Sequence, residues 1–548
     1  MVKLSDDYRI ADNKFGRLGI KVPHFDQEKM KLATRKRPIW VHFGGGNLFR
    51  AFHAVIAQKL LNQNEMESGI IVAETYDEEV IQKVYKRDND RHLSVVMKAD
   101  NTFDKELIAS VGESVYYNKD NKNGWEKLAI IFEQPSLQLV TFSFTEKGYK
   151  LDDGKGNLTK AARFDMANDP DKATTNIGAI TRLLYKRYLA GQFPIAMVST
   201  DNFSQNGLEL QKEVMKIANG WVTNNIVESG FLDYLSNKHK VSFPWTMIDR
   251  ITPNPSFTVA GELKEQGFED SNIIHTKKGT NIASFTNTEE THYLVIEDDF
   301  PNGRPKFEDA GVIMTDRETV NDADQMKVTA CLNPLHTALA ILGCLLGYKS
   351  IAAEVKDPDL KNFIVNLGYG EDLPVVKDPK IINPRQFIDE LITKRLPNKN
   401  IPDTPQRIAS DTSQKIPIRY GVTIQKYIDS AKLDPRKLIF IPFILASWCR
   451  YLMAIDDNGQ PFNPSPDPLY AELHKQISAI ELGQENMMKV HEVLQPILSN
   501  KQIFGNNLYD AGIGSIVEED FQRLIRDKKA VRSELHNLVE NRSYDLEI

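Results

Sequence analysis

The chain has 548 residues, 41% of them hydrophobic and 26% charged. That length requires two or more domains, and that composition excludes global disorder because there is enough apolar surface to bury real cores. A formal net charge of −7, from 68 basic and 75 acidic residues, gives no general attraction to nucleic acid or to anionic membrane.

No window approaches the ~20 uninterrupted apolar residues of a membrane span, and the start Met1-Val-Lys-Leu-Ser-Asp-Asp lacks the apolar core of a signal peptide. A cytoplasmic protein with no membrane or nucleic-acid partner is expected. Cys331, Cys344 and Cys449 are too few and too scattered for a disulfide framework or a cysteine zinc site, and read as buried, reduced thiols.

Residues 1–36 are polar and irregular and read as an N-terminal extension packed on a domain surface. The first strong element is Ile39-Trp-Val-His-Phe43, a short apolar run that stops at Gly44-Gly-Gly46 and resumes with helical periodicity as Asn47-Leu-Phe-Arg-Ala-Phe-His-Ala-Val-Ile-Ala57. Strand, glycines and helix in that order open a βαβ unit. Strands are predicted at Gly69–Ala73, Leu137–Phe144 and Phe193–Ser199, with a helix over Thr175–Ala190. The alternation predicts an α/β domain over 37–310, built on a doubly wound, mostly parallel Rossmann-type sheet.

After a Pro/Gly-rich hinge, Phe300-Pro-Asn-Gly-Arg-Pro305, the pattern turns to long helical stretches at Cys331–Leu346, Pro384–Lys394, Leu438–Met453 and Pro468–Leu482. A mainly α-helical C-terminal domain is expected over 311–548.

The Gly44-x-Gly46 turn lets a backbone approach a pyrophosphate at a helix N-terminus, or is simply a tight turn; Phe49 stands where a third glycine usually falls. Arg50 adds a phosphate contact or is a solvated helix residue. Glu74, ending the second strand, and Asp77 compete to accept from ribose hydroxyls, which favours NAD over NADP; either is otherwise a surface carboxylate. Lys327-Val-Thr-Ala-Cys-Leu-Asn333-Pro-Leu-His336 places three polar side chains in an apolar segment. They read as a proton-transferring lysine, an oxyanion-stabilising amide and a hydroxyl-binding imidazole. Equally, Asn333 is a helix N-cap before Pro334, with Lys327 solvated and His336 a core residue.

Eight segments in order across more than 400 residues resemble the polyol-specific long-chain dehydrogenases, the mannitol dehydrogenase family. They are His42–His53, Thr145–Tyr149, Ser199–Gly207, Met247–Pro253, Val295–Phe300, Lys327–His336, Arg407–Pro417 and Trp448–Leu452. The resemblance implies a two-domain, metal-independent NAD-dependent dehydrogenase. Lys327 then looks like the acid/base, Asn202 and Asn333 like the alkoxide-stabilising pair, and His336 like a substrate-hydroxyl ligand. Asp249, Arg395 and Lys415 look like substrate contacts. Phe43, Gly44, Gly45, Gly46, Asn47, Phe49, Arg50, Glu74 and Asp77 fall on the cofactor-binding positions. Asp324, one turn before Lys327, is a candidate for relaying the proton to solvent, or a solvated helix carboxylate.

The family pattern puts four residues between this lysine and asparagine, whereas Lys327 and Asn333 have five between them. On a regular helix one extra residue rotates the lysine by ~100°. A one-residue π-bulge is therefore expected between residues 327 and 334. Arg395, Lys399, Arg407 and Lys415 crowd the likely substrate segment, which favours a sugar-acid pair, D-fructuronate and D-mannonate with NADH and NAD. Fructose with mannitol, or tagaturonate, is the alternative. A monomer or small homo-oligomer acting on a small sugar acid or polyol is expected.

Overall fold

The computed structural model describes residues 1–10, 14–154 and 156–544 and divides into two compact units, Met1–Asn321 and Asp322–Ile548. The division falls inside the helix Arg317–Met326, about ten residues beyond the expected boundary.

The first unit is built on six parallel strands: β1 (Trp40–Phe43), β2 (Ile70–Glu74), β3 (Val111–Tyr116), β4 (Leu139–Phe142), β5 (Ile195–Ser199) and β6 (Val241–Ser242). Their spatial order is β3-β2-β1-β4-β5-β6, with every neighbouring pair parallel. This is the Rossmann order, and its direction of winding reverses between β1 and β4. Each residue of β1, β2, β4 and β5 is buried, as a parallel sheet covered on both faces requires. Val41 and Phe43 pack on one face against Phe142 and Phe132, whereas Trp40 joins the core on the other face with Phe307.

Polar side chains within this sheet satisfy one another. Thr141 on β4 receives the Trp40 indole N–H at 2.8 Å and lies 2.7 Å from His42 Nδ1, whose Nε2 reaches Ser143 Oγ at 2.9 Å. Burial holds His42 far below the usual histidine range and His53, 4.5 Å from it ring to ring, at about 3. Both are neutral in the folded protein at neutral pH.

Residues 1–36 are more regular than their composition announces. Gln27–Lys36 is a helix capped by Asp26, and Ile20–Lys21 forms the edge of a second sheet with Phe103–Ile108, His92–Met97 and Phe285–Glu289. The strand Phe103-Asp-Lys-Glu-Leu-Ile108 carries three charged residues in succession, so no apolar run marks it. A third sheet joins Thr246–Asp249, Tyr293–Glu297 and Ile313–Thr315.

The second unit is helical. The run 317–346 is the one helical stretch among the described residues long and apolar enough to cross a bilayer, and 78% of its most apolar window is buried inside the protein. The helix Phe440–Leu452 is buried along its whole length. All three cysteines are buried.

Because His53 is held neutral by burial at about 3, the unfolded chain, with an ordinary histidine near 6.5, takes up the proton first as pH falls. Its contribution to stability is full above about pH 6.5 and declines toward pH 3. The urea midpoint should fall between pH 7 and pH 5, and His53→Leu should make that fall shallower; an unchanged slope would contradict the assignment.

Candidate active site

The crevice outside the carboxyl ends of β1 and β4, where the winding reverses, is where an open α/β sheet binds its ligand. Gly44 ends β1 with φ +107°, and a Cβ there would stand 2.5 Å from the Ser143 carbonyl oxygen after β4. Only glycine lets the two crossings approach this closely. The next glycine is locked from two sides: its N–H donates to Glu74 Oε2 at 2.8 Å, and its carbonyl accepts from the Tyr85 hydroxyl at 2.8 Å. Around Gly46 no atom lies within 4 Å of a Cβ position, so the start of the following helix is open. The first-turn N–H groups there have no intrahelical acceptor, as an anion site requires.

Phe43 and Phe49 are buried beneath the turn, Phe49 stacking on His42 at 4.5 Å, and the Asn47 amide donates to the Pro253 carbonyl at 3.2 Å. The Arg50 guanidinium points inward. It is 1% exposed, with Nε and Nη2 lacking hydrogen-bond partners among the described residues, and burial lowers its pKa. Glu74 is also buried; besides the Gly45 N–H it accepts from the N–H groups of Tyr76 and Asp77 at 2.8 and 3.2 Å. Asp77 caps the turn at Glu79 and takes the hydroxyls of Thr276 and Thr280 at 2.6 and 2.8 Å. Glu74 therefore adjoins the glycine turn, while Asp77 is committed to a neighbouring loop.

At the end of β5, Asp201 is a clamp that sequence patterns do not reveal. Its carboxylate accepts the N–H groups of Phe144 and Thr145 at 2.8 Å each and the Tyr149 hydroxyl. It thereby holds Thr145 at φ +67°, ψ 156°, a conformation that a β-branched residue adopts only under constraint. Asn206 ties the same loop to Thr246 through four hydrogen bonds, counting the one it makes to Asp201. Between these two anchors Asn202 is exposed. Asp249 is buried at the end of its strand.

In the second unit, the helix ending at Met326 widens into a π-turn over Lys327–Cys331, closed by the Leu332 N–H on the Lys327 carbonyl at 3.2 Å. This is the irregularity that the extra residue requires. Leu332 then leaves helical geometry at φ −127°, ψ −62°, and a new helix starts at Asn333-Pro334. Asn333 is its first residue, with Leu332 in the cap position. Lys327 is 2% exposed, which rules out the solvated reading, and its ammonium lies 3.7 Å from the buried Asp324 carboxylate.

His336 Nε2 stands 3.6 Å from Asp403 Oδ2, beyond hydrogen-bond reach, and has no hydrogen-bond partner among the described residues. Burial, with the nearby guanidiniums of Arg419, Arg407 and Arg395 acting in the same direction against Asp403, holds its pKa at about 4. Arg395 is buried at the end of a π-turn over Leu391–Arg395. Lys415 donates to the carbonyls of Ile408 and Ser410, and burial together with Arg419 brings its ammonium down to about 8. Lys399 is exposed. Arg419, which sequence reasoning passed over, reaches Thr337 Oγ1 beside His336.

A Rossmann sheet with an open glycine turn, followed by a helical unit carrying a buried lysine and a neutral histidine, has the architecture of a nucleotide-binding two-domain protein. Residues 38–309 match the family model of the mannitol dehydrogenase Rossmann domain, and residues 320–525 that of the mannitol dehydrogenase C-terminal domain. D-mannonate oxidoreductase of Thermotoga maritima is 49% identical over 525 residues, 95% of this chain and 96% of that protein. Polyol:NADP oxidoreductase of Gluconobacter oxydans is 27% identical over 84% of this chain and 88% of its own. The solved ternary complex of Pseudomonas fluorescens mannitol 2-dehydrogenase with NAD and D-mannitol shares the fold, with a TM-score of 0.70 at 24% identity over 95% of this chain and 97% of that one. The chain belongs to the mannitol dehydrogenase family, oxidoreductases acting on CH–OH groups.

Gly44→Ala would drive a methyl group into the Ser143 carbonyl in a positive-φ conformation. It should cost on the order of 2 kcal/mol of stability and weaken binding of the reduced nicotinamide cofactor at least tenfold, measured by urea melts and by cofactor fluorescence. Wild-type affinity in this variant would show that the close approach is dispensable.

Proposed function

We propose that this chain is a cytoplasmic, NAD-dependent and metal-independent enzyme that reduces D-fructuronate to D-mannonate, working as a monomer or small homo-oligomer. The observation that carries the reading is the 49% identity to a D-mannonate oxidoreductase along nearly the full length of both chains. The excess of guanidinium and ammonium groups around His336 supports an anionic substrate.

The cofactor fits the first unit: Gly44, Gly45, Gly46 and Asn47 offer the pyrophosphate an open helix start, which Phe43 and Phe49 shape from beneath. Arg50 contributes positive charge from within. Glu74, with Asp77 behind it, presents carboxylate where a 2′-phosphate would need a cation, so NAD is preferred to NADP. When bound, NADH supplies the hydride that reduces the ketone carbon.

The chain's own residues handle the oxygen. Negative charge builds there as the carbonyl is reduced, and the amides of Asn202 and Asn333 donate to it. Lys327 delivers the proton that makes the alcohol, and Asp324 beside it restores that proton from solvent. His336 is neutral, so its Nε2 is left to hold a substrate hydroxyl. Asp249, Arg395 and Lys415 orient the rest of the sugar acid.

NADH consumption with fructuronate, tagaturonate and fructose in parallel tests the reading. Fructuronate should lead by at least about tenfold in kcat/KM, NADPH should be the poorer reductant, and activity should survive exhaustive EDTA treatment. A preference for fructose, or loss of activity that zinc restores, would overturn it. Lys327→Ala should lower kcat by about 10²–10⁴ with NADH binding nearly unchanged; near-normal turnover would remove the lysine from the chemistry.

A further inference from the structure

The cations near His336 are not equally compensated. Arg407 is paired with Asp403, the same carboxylate that faces His336. Arg419 is half-buried and has no carboxylate within ion-pair distance among the described residues. Its one hydrogen bond there runs from Nη1 to Thr337 Oγ1, which leaves the Nε and Nη2 edge without a hydrogen-bond partner among the described residues. That edge is the two-pronged donor that matches a carboxylate.

The position of Arg419 is fixed. It lies in a π-turn over Pro417–Gly421, and the next residue, Tyr420, donates its hydroxyl to the Pro334 carbonyl at 2.8 Å. One turn on, Thr423 reaches the Thr329 carbonyl at 3.3 Å inside the Lys327–Cys331 π-turn. The segment carrying Arg419 is thus tied to the segment carrying Lys327, Asn333 and His336 at two points, and Thr337 is the residue directly after His336. Lys415, one turn before Arg419, donates to carbonyls and is likewise without a carboxylate partner among the described residues. Burial lowers Arg419 to about 10, and only Tyr420 favours its charge. A guanidinium so placed is poorly balanced until an anion arrives.

We infer that Arg419, seated on Thr337 beside His336, receives the terminal carboxylate of the substrate and separates sugar acids from neutral ketoses. A neutral ketose presents a primary alcohol at that end, which can accept a hydrogen bond but supplies no charge. This inference rests on the sugar-acid reading of the site and adds to it the group that recognises the acid.

Arg419→Met and Arg419→Gln should be compared with the wild type in NADH-linked assays with fructuronate and fructose, alongside melting temperature and NADH binding. The fructuronate-to-fructose ratio of kcat/KM should fall about a hundredfold, mostly through KM for fructuronate, and Arg419→Lys should recover part of it. If the Met variant does not fold, the Gln variant, which keeps a donor for Thr337, decides. A folded, NADH-binding variant with the wild-type ratio would overturn this inference and leave the fructuronate reading standing. A wild type that prefers fructose would overturn both.

Discussion

The approach of two chain crossings at the point where the parallel sheet reverses its winding governs the first unit. Gly44 and the Ser143 carbonyl are so close that no side chain fits between them. From that contact follow the open helix start at Gly46, the buried aromatic support of Phe43 and Phe49, and the Glu74 carboxylate that ties β2 to the turn. The adjacent crossing, β4 to β5, is fixed by Asp201 pulling the Thr145 backbone into a constrained conformation. The loops that border the crevice are therefore held by hydrogen bonds to buried groups, and Asn202 is presented from a rigid frame.

The second unit solves a different problem, which is to hold several cations, buried, half-buried and exposed, close to one histidine. Lys327 has Asp324 nearby, and Arg407 has Asp403. Arg419 and Lys415 have hydroxyl and carbonyl oxygens instead of carboxylates. Of the four π-turns among the described residues of this unit, those at Lys327–Cys331, Leu391–Arg395 and Pro417–Gly421 carry Lys327, Arg395 and Arg419, and the fourth spans Asn366–Asp372. Each widens its helix by one residue, a distortion that regular packing does not favour and that recurs where function sets the direction of a side chain.

The same desolvation that makes these groups costly sets their protonation. Histidines buried without an acid partner, such as His53 in the first unit, become neutral. His336 is neutral despite Asp403, because burial and three guanidiniums outweigh one carboxylate. A neutral imidazole can both donate to and accept from a sugar hydroxyl, which a permanently charged one cannot.

The sequence by itself determined the Rossmann opening, the helical second half, and the need for an irregular turn after Lys327, because each is written in local periodicity, glycine placement or residue spacing. It left open whether Lys327 is solvated and whether Glu74 or Asp77 adjoins the glycine turn. It passed over Asp201 and Arg419, and it gave no sign of the charged strand Phe103–Ile108 or of the regular structure at Ile20–Lys21 and Gln27–Lys36. Those were decided only by tertiary structure. Burial, the partner of a carboxylate 57 residues away in the chain, as in Asp201 with Phe144, and the contact of Arg419 with Thr337 across 82 residues are properties of distant segments meeting, and local composition carries no record of them.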